Sequence, residues 1–127
     1  MKNPIVNMFV AHYHFWFLKF RDREKACHTA LLFIALMLTL FETTVLLLVG
    51  GRFLQLFLNM GAAVLVLALA ANMAAYYFLL RLAFTPERLE LEAGKLTKVG
   101  YYTHHVAFLI ICHADFIVLF RLVRGIF

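Results

Sequence analysis

The sequence predicts an all-α integral membrane protein with three transmembrane helices, preceded by an aromatic amphipathic N-terminal helix. Three observations carry this. Of 127 residues, 65% are hydrophobic and 15% charged, against about 45 to 50% and about 25% in soluble domains. The apolar residues gather into runs as long as a helix needs to cross roughly 30 Å of hydrocarbon. The basic residues flank those runs, where headgroups and an anionic leaflet favour them. The net charge of +5 therefore does not point to nucleic acid, whose recognition needs a basic solvated face or a dedicated motif.

Residues 4–20 include IVNMFVAHYHFWFLKF, barely long enough to span and interrupted by His12, His14 and Lys19. Asn7, His14 and Arg21 recur at sevens as a narrow polar stripe, while Tyr13 and Trp16 suit a headgroup layer. This favours a helix lying in the cytoplasmic interface over a fourth crossing. With no small-residue cleavage site behind it, the stretch reads poorly as a signal peptide.

The first crossing is 29–49, stopped by Gly50 and Gly51. The second is 53–80, at whose end Tyr76 and Tyr77 suit the interface and Arg81 reaches beyond it. Residues 85–100, TPERLELEAGKLTKVG, are the one sizeable polar loop. Thr85 and Pro86 can open a helix that Gly94 closes, but the alternation on either side of Ala93 and Gly94 favours a short hairpin. The third crossing is 101–121. Cys27 and Cys112 fall at different depths and are expected as free thiols. No repeat or linker divides the chain, which reads as a single membrane domain.

Lys19, Arg21, Arg23 and Lys25 lie on the same side as Arg81, Arg88, Lys95 and Lys98, whereas Arg52, Arg121 and Arg124 lie on the other. The richer side is expected to be cytoplasmic. A bacterial inner membrane is the expected location, with the basic face meeting anionic lipid.

Polar groups inside the crossings are the candidate functional residues. An acid near a helix centre costs about 2.5 to 3.5 kcal/mol, so it is turned inward, paired or neutralised. Glu42, with Thr39 and Thr43 at helical spacing, and Asp115 each lie about 21 Å along their expected crossings, and His113 lies close by. These could form a proton or ion site between parallel helices; the blander reading is hydrogen bonding between helices or to a neighbouring subunit. Residues 113 and 115 are about 200° apart around a helix, so they cannot face one partner. In the second crossing Asn72 lies deep, and Ala70, Ala71, Ala74 and Ala75 offer a small-residue surface for close helix packing.

His28, His104 and His105 open the first and third crossings, and His12 and His14 lie at a similar level. Two facing imidazoles could hold the iron of haem b, although no metal-binding spacing such as HExxH or CxxC is present. An N-terminal helix before three crossings resembles the small anchor subunits of succinate dehydrogenase. The resemblance is architectural: that family's Ser and Arg quinone residues have no counterpart here, so no residue role is carried over. The pairs HYH and HH match the histidine boxes of membrane di-iron oxygenases too incompletely to imply that chemistry.

No nucleophile with an adjacent base and no phosphate loop occurs, so a self-sufficient enzyme is not expected and no cofactor is required. The expected function is association, as an accessory or anchor subunit of a larger membrane complex or as a homo-oligomer. The alternatives are a proton- or ion-handling element using Glu42, His113 and Asp115, and a redox anchor binding haem or quinone.

Overall fold

Asn3 opens the first helix: its side chain accepts a hydrogen bond from the Ile5 N–H at 2.9 Å, and Pro4 occupies the first helical position. Helix α1 runs Pro4–Phe20 and ends at Arg21, whose left-handed φ of 56° lets its N–H reach the Phe17 carbonyl. Asp22 then caps α2, Arg23–Val49, by accepting from the N–H groups of Glu24 and Lys25 at 3.0 and 3.3 Å. With only Arg21 and Asp22 between them, α1 and α2 form a helical hairpin. The computed structural model describes residues 3–50, 52, 55, 56 and 59–126, the last without its side chain.

Helix α3 spans Ala62–Ala83, α4 Pro86–Gly94 and α5 Lys98–Ile126. Every regular element among the described residues is helical, and α2, α3 and α5 are long and apolar enough to cross a membrane. Each differs in extent from the expected crossing. Helix α2 starts at Arg23 and α5 at Lys98 because a helix need not stop where hydrocarbon does; its polar turns continue into the interface. The described part of the second crossing begins at Ala62, after Met60 and Gly61 depart from helical geometry. The expected start at Phe53, with Leu54, Phe57 and Leu58, lies outside the described residues.

The segment after α3 corrects the hairpin expectation. Thr85 caps α4 by accepting from the Arg88 N–H at 3.2 Å, with Pro86 at the first position. Alternation would have set Leu89 and Leu91 on one face of a strand; in the helix they diverge by about 200°. Leu89 is buried and Leu91 exposed.

Helix α2 is the hub, packing against α1, α3, α4 and α5. Helix α1 lies against α2, α4 and α5, and the core is concentrated there: Val10, Ala11, Tyr13, Ala26, Ala30, Leu31 and Ile34 are all almost wholly enclosed. Small residues on α2 opposite bulky ones on α1 permit that approach. Phe9 meets Phe84 and Phe108 edge-on, joining α1 to the end of α3 and to α5. Around α4, Arg23 reaches Glu90 at 2.8 Å and Glu87 at 3.6 Å, and Arg81 reaches Glu24 at 3.2 Å.

Candidate functional site

The two deep carboxylates have different neighbours. Glu42 points from α2 to α3, where Asn72 and Tyr76 stand one turn apart on the same face. Asn72 Nδ2 donates to Glu42 Oε2 at 2.9 Å and the Tyr76 hydroxyl donates to the same oxygen at 2.5 Å. These are charge-assisted bonds when the acid is ionised, and they fix the rotation of α3 against α2.

Thr39 and Thr43 do not join this group through their hydroxyls. Thr39 donates to the Ala35 carbonyl and Thr43 to the Thr39 carbonyl, both at 2.9 Å, as Thr44 does to Leu40. Each hydroxyl is thereby satisfied inside its own helix, an arrangement well suited to hydrocarbon.

Asp115 lies on α5 and lines a cavity of about 260 Å³ between α1, α2 and α5. It has no hydrogen-bond or ion-pair partner among the described residues. Around it are Ile5, Met8, Phe41, Phe108 and Cys112. His113 faces elsewhere: its side chain is exposed, with Nδ1–H donating to the Leu109 carbonyl at 2.8 Å, and it borders a shallow groove with Val106, Ile110 and Ile117. The angular separation expected for 113 and 115 thus places one on the outer surface and one beside a partly open cavity between helices. The structure brings Glu42 to Asn72 and Tyr76, whereas Asp115 and His113 have separate surroundings on α5.

The alanines also find a different setting. Ala70, Ala71, Ala74 and Ala75 are exposed, while Asn72, Met73, Tyr76 and Leu80 take the side of α3 turned to α2. These four alanines therefore do not form the contact of α3 with α2. Polar anchoring at Glu42 selects which face of α3 turns inward, and the small-residue face turns out.

The histidines separate likewise. His28 Nδ1 and the Tyr77 hydroxyl are 2.7 Å apart, joining α2 to α3. His104 Nδ1–H donates to the Gly100 carbonyl at 2.7 Å. His105 turns to α1, where Phe15 stacks on it at 4.9 Å and His12 at 5.8 Å between ring centroids. His28 is thus engaged by α3 and His105 by α1. No group of three or more His, Cys, Asp or Glu that could hold a metal ion occurs among the described residues.

His12 is 3% exposed, and Trp16 Nε1–H donates to its Nε2 at 3.0 Å. The neutral ring therefore carries its proton on Nδ1, which is buried without a partner among the described residues, as are Tyr13 OH and His105 Nε2. Burial, with His105 adding repulsion, pushes the His12 pKa down to about 3. The sequence sets this histidine only at the level of His28, His104 and His105, outside the polar stripe of Asn7, His14 and Arg21. The useful signal was the spacing of four between His12 and Trp16, which permits the hydrogen bond to Nε2. Tyr76 was read as a headgroup residue, although its spacing of four from Asn72 suits a shared acceptor.

Cys27 and Cys112 are free, and Arg81 Nη1 lies 2.9 Å from Cys27 Sγ. Compared with families of known proteins, with characterised proteins and with solved structures, the chain matches none. Its candidate sites therefore rest on the geometry of its own residues.

Proposed function

We propose that this protein works by association within the membrane, as an accessory or anchor subunit of a larger complex or as an oligomer of itself. The observation that carries this is His113, an imidazole exposed midway along α5 at the edge of a groove lined by Val106, Ile110 and Ile117. Apolar side chains facing outward are at home in lipid, but an imidazole there gains by meeting protein. The outward face of Ala70, Ala71, Ala74 and Ala75 on α3 adds a second surface that a neighbouring helix could approach closely.

In this reading α1 enters the bundle from the cytoplasmic side and folds back along α2. That placement is supported by Ile5 sharing a cavity with Phe41 while His14 meets Tyr101. The basic ends of α1, α3 and α5 and the short helix α4 then face the cytoplasm of a bacterial inner membrane, where anionic lipid is attracted to them. Glu42 acts as glue between α2 and α3. A proton path joining it to Asp115 and His113 has less support, because its hydrogen bonds run toward α3.

The test is native mass spectrometry of the full chain in a mild detergent, comparing wild type with His113→Leu. Leucine suits lipid better than histidine does, so a lipid-facing position would tolerate the change. Loss of a second copy or of a stoichiometric partner in His113→Leu is the expected result. Wild type found alone, or the same assembly in both proteins, overturns the proposal.

A further inference from the structure

The inner side of α5 poses a separate question. The cavity between α1, α2 and α5 is walled by Met8, Phe9, Met37, Phe41 and Phe108, with Asp115 as its one ionisable carboxyl. Among the described residues no lysine, arginine or histidine lines it. Ionisable groups at bilayer depth are normally paired or turned to a functional cavity, and the half-buried Asp115 has the cavity without a partner among the described residues. By contrast, Glu42 receives two donors from its own chain. The threonines of α2 also make their bonds at home, which leaves Asp115 as the distinctive polar feature of this cavity.

The geometry points to a binding site for a small hydrophobic amine, its apolar body among the aromatic and methionine side chains and its ammonium against Asp115. Three properties select this class. The walls are apolar and include two methionines, whose unbranched side chains adapt to varied shapes. Three phenylalanines, Phe9, Phe41 and Phe108, line the same cavity and supply aromatic rings of the kind that attract a cation. The volume of about 260 Å³ is near the lower end of ordinary ligand pockets, which suits a body of one ring and a short chain. A lipid tail would fill the apolar part and leave the carboxylate unpaired, and an anion would be repelled by it.

This goes beyond the association reading and uses the opposite side of α5, so each can fail without the other. The experiment uses the purified full chain in a non-ionic maltoside detergent and measures binding of 4-phenylbutylamine and of 4-phenylbutan-1-ol, its neutral counterpart of similar size, by calorimetry. The expected result is saturable amine binding that Asp115→Asn weakens by at least about tenfold, with binding of the alcohol little changed. Met37→Trp, which fills the cavity, is expected to remove both.

Equal weakening of amine and alcohol by Asp115→Asn overturns the charge assignment, and amine binding that survives Met37→Trp overturns the location. Non-saturable uptake of both compounds overturns the site and leaves lipid as the occupant. If Asp115→Asn does not fold, the wild-type preference for amine over alcohol and its loss in Met37→Trp decide the matter, and absence of either result rejects the proposal.

Discussion

Glu42 and Asp115 are both carboxyl groups deep in apolar helices, about 28 Å and about 26 Å from the starts of α2 and α5 at 1.5 Å per residue. One sits in a tight helix interface and the other beside a cavity. Glu42 is met by Asn72 and Tyr76, which share one oxygen, whereas Asp115 borders a largely apolar cavity and has no hydrogen-bond partner among the described residues. A membrane acid bonded by its own chain helps to set the fold, and one left without such bonds is available to something else. Within this small bundle α2 and α3 are joined through Glu42, while α1, α2 and α5 line the space that Asp115 borders.

The largest expected effect comes from removing the unbonded acid. Asp115→Leu is predicted to favour insertion of α5 by up to about 4 kcal/mol on the translocon scale, without lowering the heat stability of the purified protein. A helix-insertion assay together with a melting curve checks this, and a marked loss of stability would mean that Asp115 is bonded as Glu42 is. Glu42→Ala should do the reverse, leaving Asn72 and Tyr76 without their acceptor and destabilising the protein by about 1 to 3 kcal/mol. Glu42→Gln, which keeps an acceptor oxygen, should recover part of that loss in the same melting experiment.

Tyr76→Phe removes one of the two donors and is expected to lower stability by about 0.6 kcal/mol, and by no more than about 1.7. If it matched Glu42→Ala, the two bonds would be acting as one unit and a double-mutant cycle would show the coupling. Smallest of all should be Ala74→Leu, on the exposed side of α3. In the monomer its effect is expected within about 0.5 kcal/mol. A fall in oligomer content with the monomer melting temperature unchanged would sharpen the contrast between the inner and outer faces of α3.

Much of the architecture was legible because hydropathy is a local property. Three apolar runs read as crossings, and α2, α3 and α5 have the length and composition for that role. Boundaries were less legible, since caps such as Asp22 carry helices past the apolar run into polar turns. The stretch 85–100 misled because RLELE supports both an alternating strand and one helical turn around Leu89. The surface provided by α1 and α2 buries Leu89 and leaves Leu91 exposed, which favours the helix. For the candidate site, the depths of the two acids could be counted from the sequence. Their partners could not, because helix rotation depends on which contacts win. Turning Asn72 and Tyr76 inward necessarily turned Ala70, Ala71, Ala74 and Ala75 outward.

The sequence by itself determined the solvent suited to this chain, the helical runs long enough to span it, and the levels at which polar groups interrupt them. These follow from composition, the 1.5 Å rise and the preference of basic and aromatic residues for interfaces. Tertiary structure alone decided that α2 stands at the centre, that α1 fills the space beside it, and that Glu42 meets donors while Asp115 meets a cavity. Those outcomes depend on packing between residues far apart in the chain, where small differences in side-chain volume and hydrogen bonding select one rotation of each helix over another.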